Sequence, residues 1–448
     1  MKGEWLICSE GARIQDGEID CRGRLKVNGM FLADIAFVAS GNDLKPPLFP
    51  GDCLFAGVLL LAMSEKYNLR SELPLSPGLL ESADEISTII DAWHPQASAV
   101  KLSCPSGSIG QDAIRKASGV GCFFSGGVDS FYSLLRHRDE ITHLIFIHGF
   151  DIPLHKKESR EVSSQGVHKV AEELGIEVIE VSTDIRYFGD GIAGWGFYGI
   201  PVLIASAHLL SGVLGKVYLP STYDYAQLRP NVTHPYIDPM WSTDSVRIVH
   251  DGACANRAQK CEAIAGWDLA LRHLRVCWEL GGKLNCGECE KCIRTEIALD
   301  VLGQLDKCTV FSGLYKPERI KEFTYECWRF RYNWPRDTLH LARKHENDSL
   351  VAILEDAYSL IRGRKLGEDL HARMREIVST DAWHAISRSI RQGLFAYLRE
   401  NDPEWMIKKM RQNLSQMRES LFRIFWKRCR RWLFRRVLTR RLGFSKPD

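Results

Sequence analysis

Apolar runs alternate with amphipathic stretches through the middle of the chain. The apolar runs predict strands and the amphipathic stretches predict helices, in the order strand 120–124, helix 129–136, strand 143–148, helix 161–174, strand 177–182, helix 201–214 and strand 216–219. Strands that are apolar throughout are typical of a parallel sheet covered by helices on both faces. The pattern therefore predicts an α/β fold with a doubly wound parallel sheet, in which ligands bind at the carboxyl ends of the strands.

Both ends of the chain show a different pattern. Residues 1–116 combine short alternating runs with one apolar helix at 52–67, which predicts a small N-terminal α+β domain. A Pro-Ser-Gly-Ser sequence that begins at Pro105 favours a boundary before the α/β domain, which we expect to cover 117–312. Residues 313–448 are rich in helix-forming residues and predict an α-helical C-terminal region.

Composition indicates an ordinary globular protein. The 448 residues are 45% hydrophobic and 26% charged, which suits two or three domains. No apolar run approaches the roughly 18 residues that a membrane-spanning helix needs, and the N-terminus lacks the features of a secretory signal. The 14 cysteines are scattered apart from one tight group, a pattern typical of a cytosolic metal site rather than a disulfide framework. We therefore expect a cytoplasmic protein.

Positive charge is concentrated in the last segment of the chain. Residues 408–448 contain 14 Lys and Arg and two acidic residues, a net charge of +12, whereas the rest of the chain carries −9. Apolar residues recur there at helical spacing, which predicts a basic amphipathic helix. Such a helix packs onto its own protein, or it binds nucleic acid, an anionic membrane surface or an acidic protein partner. The sequence does not indicate an oligomeric state.

The first predicted strand of the α/β region is followed by the motif Ser125-Gly126-Gly127-Val128-Asp129-Ser130. Glycines let the backbone approach an anion, the two serine hydroxyls add donors, and the new helix presents unpaired N–H groups. Asp129 can cap the helix or hold a Mg²⁺ ion that neutralises phosphates. A Walker-type GxxxxGK[ST] sequence is absent. The motif therefore predicts a pyrophosphate-binding loop rather than a turn without a ligand.

This motif resembles the SGGxDS signature of the PP-loop ATP pyrophosphatase superfamily, which has a HUP-like doubly wound α/β fold. The resemblance implies that ATP and Mg²⁺ bind at the loop, with catalytic roles for Asp129 and Ser130. It also implies that a substrate oxygen attacks the α-phosphorus, which gives an adenylated intermediate and pyrophosphate. A nucleophile such as ammonia or sulfur then displaces AMP.

Further candidate residues follow the second strand and lie downstream. His148, Gly149 and Phe150 are expected to line the adenine pocket; an ordinary strand end is the alternative. Lys260, with Arg257 nearby, is expected to neutralise charge on the polyphosphate as a catalytic residue. Simple surface charge is the alternative for this pair.

Four cysteines form the tight group, with the spacing C-x8-C-G-E-C-x-x-C: Cys277, Cys286, Cys289 and Cys292. Thiolates two residues apart can share one metal ion, and Gly287 permits the tight turn between the second and third. The spacing predicts a structural zinc site. An iron–sulfur cluster is the alternative, because the same ligand set suits it.

The loop and the cysteine group together look like those of the 7-cyano-7-deazaguanine synthase branch, over about residues 119–302. That branch converts a carboxylate on a deazaguanine base to a nitrile, with ammonia and ATP, and carries a four-cysteine zinc. The substrate loops of the synthase are not matched at 194–199 and 221–229. We therefore expect an ATP-dependent, adenylate-forming ligase, most simply forming a C–N bond. It activates a carboxylate or carbonyl oxygen of a small molecule, a peptide or a protein, and this substrate need not be deazaguanine.

Two other functions fit the same motifs. A PP-loop RNA sulfurtransferase would use the same ATP chemistry, and a non-catalytic nucleotide-binding subunit of a larger assembly, for example in defence, would bind ATP without turnover. Residues 194–199 formally fit GxGxxG, but their aromatic content favours a lid or a surface loop over dinucleotide binding. A polar stretch with Asp224, Arg229, His234 and Asp238 predicts either a substrate or metal site or a solvated loop.

Overall fold

The computed structural model describes residues 3–105, 116–277, 284–311, 315–323 and 334–363. The predicted basic tail at 408–448, with most of the predicted helical region, lies outside the described residues. The chain divides into two compact units, and unit 1 is Met1–Cys292 with Gly303–Gly313. Unit 2 is Ile293–Leu302 with Leu314–Asp448.

The strands of unit 1 form one mixed sheet, which has eleven strands within the described residues. They are β1 (Glu4–Cys8), β2 (Ala12–Gln15), β3 (Glu18–Val27), β4 (Met30–Ser40), β5 (Asn68–Ser71), β6 (Leu102–Ser103), β7 (Gly119–Phe123), β8 (His143–His148), β9 (Glu177–Thr183), β10 (Leu214–Pro220) and β11 (Arg247–Asp251). Their order across the sheet is β11-β10-β7-β8-β9-β4-β3-β1-β5-β6, and β2 pairs with β3 beside this path.

Within the described residues, five of the ten connections between these strands contain α-helices, and further α-helices follow β11. The helices are α1 (Pro50–Glu65), α2 (Pro77–Trp93), α3 (Val128–His137), α4 (Lys157–Leu174), α5 (Ile185–Gly189), α6 (Trp195–Leu209), α7 (Arg257–Ile264), α8 (Asp268–His273) and α9 (Glu290–Val301), followed in unit 2 by α10 (Trp334–Lys344) and α11 (Asp348–Gly363). In unit 2, α10 packs against α11, and Arg343 forms an ion pair with Glu355 at 2.6 Å. Among the described helices, none is long and apolar enough to cross a membrane.

Five neighbouring strands, β7 to β11, are all parallel. The chain runs outward from β7 through β8 to β9, then returns to place β10 and β11 on the other side of β7. Right-handed crossovers in opposite directions put their helices on opposite faces of a sheet. The predicted α/β class is therefore confirmed, and the order is compatible with double winding. In sheets of this kind ligands bind in the crevice where the direction reverses, and in this chain the reversal lies between β7 and β10.

The first hundred residues extend this sheet. Strand β4 pairs antiparallel with β9, from Phe37 opposite Thr183 to Ser40 opposite Glu180. The sheet as a whole is therefore mixed, because the N-terminal strands, which were expected in a separate domain, join the parallel strands of the α/β region. Helix α1 is buried almost throughout and packs against α6. The boundary predicted near residue 116 thus falls inside one compact unit, because β4 covers the edge that β9 would otherwise expose.

Candidate nucleotide site and metal centre

The predicted phosphate loop joins β7 to α3 at the reversal of strand order. Gly126 has a φ of +77°, a conformation that favours glycine, and a Cβ there would meet the Cβ of Arg275 at 3.3 Å. Gly127 is the N-cap of α3, so no cap side chain competes for the N–H groups of the first turn. Ser130 donates a 2.9 Å hydrogen bond to the Gly127 carbonyl. The backbone here has the form of an anion site.

A cleft of about 400 Å³ opens beside this loop. Among its lining residues are those from the loop and from the end of β8, together with three cations: Ser125, Gly127, Asp129, Ser130, His148, Phe150, Arg257, Arg275 and Lys291. Val128 is instead buried in the core, and the N–H of Gly149 donates to the Ile152 carbonyl at 3.2 Å. The structure thus brings most of the predicted nucleotide-binding residues to one cleft.

Asp129 is held by two cations from α7. Arg257 Nη1 lies 2.6 Å from Asp129 Oδ2, and Lys260 Nζ lies 3.1 Å from Oδ1. Lys260 is only 1% exposed and also donates to the carbonyl of Ser221, so it is not a surface charge. Asp129 does not cap α3, because the N-cap position is taken by Gly127 and Asp129 lies in the first turn of the helix. The carboxylate therefore orders two cations beside the loop.

Arg275 was missed by the sequence reasoning. Its backbone N–H donates to the Gly126 carbonyl at 2.7 Å, and its guanidinium Nη1 lies 3.4 Å from the Ser125 carbonyl. Burial lowers the pKa of Arg275 from its usual value. No carboxylate forms an ion pair with it in the part of the chain that the structure describes. The only sequence signal was its place two residues before the first cysteine of the group.

The four cysteines converge in unit 1. The Sγ atoms of Cys277 and Cys289 are 3.7 Å apart, those of Cys286 and Cys292 are 3.8 Å apart, and those of Cys289 and Cys292 are 3.5 Å apart. Four sulfurs placed tetrahedrally around one zinc ion at about 2.3 Å would be separated by roughly 3.8 Å. The cluster is therefore compatible with binding a zinc ion.

Local backbone geometry supports the same conclusion. Gly287 has a φ of +71°, and the turn that it permits directs the N–H groups of Glu288 and Cys289 at Cys286 Sγ, at 3.3 and 3.2 Å. Hydrogen bonding with Cys277 raises the pKa of Cys289 to about 12. Thiols this close cannot all ionise without a cation among them, which is what a divalent metal provides.

His148, at the end of β8, is held by a half-buried acid on the next strand, Glu180. Its Nε2 lies 2.9 Å from Glu180 Oε2, and Glu180 also accepts from Ser164 and contacts His168 Nε2 at 3.1 Å. The hydrogen bond with His148 is the main reason that the pKa of Glu180 falls to about 2. An ionised carboxylate only accepts, so Nε2 of His148 carries a proton. The ring is thereby fixed at the edge of the cleft.

The Glu180→Gln variant is expected to lose a contribution to folding stability that the wild type has at neutral pH and loses in acid. Because the pKa of Glu180 is lower in the folded than in the unfolded chain, its stabilisation is complete above pH of about 4.5 and is lost as the pH falls to about 2. We expect the wild type to exceed the variant by about 2 kcal/mol in unfolding free energy near pH 7, and this gap to close over that range. Denaturant unfolding at several pH values measures it.

The control for this experiment is Glu172→Gln, an exposed residue of α4. It should show no comparable gap at any pH. A gap between wild type and the Glu180 variant that stays constant down to pH of about 2 would contradict the assigned ionisation.

The polar stretch after β10 is used for local structure. Asp224 Oδ1 accepts from the backbone N–H groups of Ala226 and Gln227, at 2.7 and 3.0 Å. Arg229 donates to a neighbouring tyrosine hydroxyl at 2.7 Å. Asp238 is fully buried, accepts from the N–H of His234 at 3.2 Å and contacts His250 Nδ1 at 2.6 Å. These contacts explain why polar residues occur in this stretch, and a ligand is not needed to explain them.

Residues 194–199 do not form the expected lid or surface loop. Gly194 is the N-cap of α6, and the helix begins at Trp195. The Trp195 ring meets Phe150 edge-on at 4.8 Å between centroids, and the guanidinium of Arg186 lies 4.7 Å from its ring centre. This first turn is therefore a packed wall of the cleft.

Comparisons of the chain with models of known protein families, with curated proteins and with solved structures find no match.

Proposed function

We propose that this protein is a nucleotide-activating enzyme of the PP-loop class. The observation that carries the proposal is the Ser125–Ser130 loop, with its two glycines and the N-terminus of α3, at the reversal point of a parallel sheet. More particularly, we propose an ATP-dependent ligase resembling 7-cyano-7-deazaguanine synthase. It would activate a carboxylate as an acyl adenylate, release pyrophosphate and pass the acyl group to an amine or ammonia.

The charges around the cleft suit this chemistry. Polyphosphate binding needs positive charge near the loop, and Arg257 and Arg275 both line the cleft. Ser130 and the first N–H groups of α3 would bind phosphate oxygens. Asp129 would hold Arg257 and Lys260 in place as charge moves onto pyrophosphate. A Mg²⁺ ion bound directly to Asp129 would have to displace one of these cations, so we place it on the phosphates.

The four cysteines would hold zinc in a structural role. All four protein ligands come from one short stretch, and a closed tetrahedron leaves no position for substrate. The sulfur spacing favours a single ion over an iron–sulfur cluster, whose several irons would hold the sulfurs further apart. Six described cysteines outside this group are free thiols, in keeping with a proposed cytoplasmic location: Cys8, Cys21, Cys53, Cys104, Cys122 and Cys254.

Product analysis tests the reaction class. Purified protein is incubated with Mg²⁺, ATP labelled in its α-phosphate, ammonium and a panel of carboxylates that includes carboxylated deazaguanine and short peptides. We expect labelled AMP and an equal amount of pyrophosphate, formed only when a suitable carboxylate is present. The Gly126→Val variant, strained at a φ of +77°, controls for contaminating enzymes.

Other products would point to other functions. ADP as the product would refute the proposal, because it requires attack at the γ-phosphorus. Transfer of labelled sulfur to RNA would favour a sulfurtransferase, and tight ATP binding without products under any condition would favour a non-catalytic subunit.

A further inference from the structure

The Asn285 side chain is buried next to the metal ligand Cys286 in the chain, and it hydrogen-bonds to the backbone of segment 274–277. It is 1% exposed. Its Oδ1 accepts from the N–H groups of Val276 and Cys277 at 2.8 and 3.2 Å, and its Nδ2 donates to the carbonyls of Leu274 and Val310 at 2.8 and 3.2 Å. The amide thus uses both acceptor positions and both donor protons on backbone groups.

The segment that Asn285 holds also contacts the phosphate loop. Arg275 lies within segment 274–277, and the backbone N–H of Arg275 donates to the carbonyl of Gly126 at 2.7 Å. The guanidinium of Arg275 contacts the Ser125 carbonyl and lines the cleft. One end of the segment is the metal ligand Cys277, and Asn285 is followed directly by the ligand Cys286. A continuous series of hydrogen bonds therefore runs from the metal ligands to the loop.

We propose that Asn285 couples the metal centre to the nucleotide site, so that a bound metal ion and a bound nucleotide each raise the affinity for the other. This inference rests on the proposed nucleotide site. A metal ion that joins Cys277 to Cys286 fixes segment 274–277 against Asn285, and this places Arg275 beside the phosphates. Nucleotide that binds to an already ordered segment does not have to order it.

Coupling of this kind is reciprocal. Whatever factor the metal contributes to nucleotide affinity, the nucleotide contributes to metal affinity. Couplings are commonly 5–150-fold, and for one buried amide with four hydrogen bonds we expect about tenfold. Asn285 is a positioning residue in this scheme, since it contacts neither ligand.

Two measurements on wild-type protein test the coupling. In the first, zinc-loaded protein is mixed with a chromogenic chelator, and zinc release is followed with and without ATP. In the second, ATP is titrated calorimetrically, with Mg²⁺ and without carboxylate, into zinc-loaded and zinc-stripped protein. We expect ATP to raise the equilibrium affinity of the protein for zinc about tenfold, and we expect zinc removal to lower the affinity for ATP by the same factor.

The Asn285→Ala variant should bring both factors close to one while each ligand still binds. Asn285→Asp, which keeps the two acceptor contacts, is the second variant if alanine prevents folding. The matched control is Asn68→Ala, another asparagine whose Oδ1 accepts a backbone N–H, that of Lys101 at 3.0 Å, far from the cysteines in sequence. The Asn68→Ala variant should keep the full coupling. Because free ATP binds zinc equally in both experiments, comparison with this variant corrects for that effect.

The outcomes separate the coupling from the nucleotide site. Equal ATP affinity with and without zinc, or an undiminished factor in an Asn285 variant that folds, overturns the coupling alone. If zinc-loaded wild type binds no ATP, the proposed nucleotide site fails and the coupling fails with it.

Discussion

The Asp129→Ala variant should lose at least about 100-fold in turnover and about 3 kcal/mol in unfolding free energy. Both effects have one cause. Lys260 is 1% exposed, and removal of the carboxylate leaves its ammonium group buried with only a carbonyl partner, that of Ser221, among the contacts described above. Arg257 also loses its 2.6 Å ion pair. Pyrophosphate release and urea unfolding measure the two quantities.

A double variant separates stability from catalysis at this position. Asp129→Ala combined with Lys260→Met removes both charges and keeps the apolar stem, so most of the lost stability should return. Turnover should not return, because Arg257 still lacks its ion pair and the charge of Lys260 is absent. Asp139→Ala, whose carboxylate is 97% exposed, is the control and should match wild type. Wild-type stability in the single Asp129 variant would show that the ion pairs do not hold Lys260.

The Cys289→Ser variant is expected to lose zinc and to unfold far more easily. Cys289 Sγ lies within 3.7 Å of two other sulfurs, so a hydroxyl in its place leaves only three thiolate ligands. Binding free energy of a structural metal contributes directly to folding, and we expect a loss of more than about 4 kcal/mol. Metal analysis by mass spectrometry and denaturant unfolding measure the two changes on the same sample.

Cys254→Ser provides the matched control, because Cys254 is an exposed thiol outside the cluster. It should retain zinc and stability. A Cys289 variant with full zinc content and unchanged unfolding would show that the four sulfurs do not form a metal site.

Features set by neighbouring residues were predictable from the sequence. Strand β8 occurs at His143–His148 as expected, and β7 begins and ends within one residue of its prediction. The loop and the cysteine turn rest on glycines at fixed spacing, and Gly126 and Gly287 both adopt positive φ. Short motifs specify such features because the conformations that they need are local.

Features set by distant pairing were not predictable in the same way. Nothing local indicates that β4 pairs with β9, because alternating polarity in a strand is compatible with many neighbours. Asp129 appeared to be a cap or a magnesium ligand because its partners, Arg257 and Lys260, lie more than a hundred residues further along the chain. Arg275 and Glu180 carry no motif at all, and only tertiary structure gives them their positions.

The pairing of β4 with β9 links the first hundred residues to the cleft. Ser40 lies opposite Glu180 in this pairing, and Glu180 is the residue that orients His148. A fragment cut to the α/β portion would lose this neighbour and uncover a row of backbone donors and acceptors ready to recruit another chain. We therefore expect the smallest stable version of this protein to include its N-terminal strands.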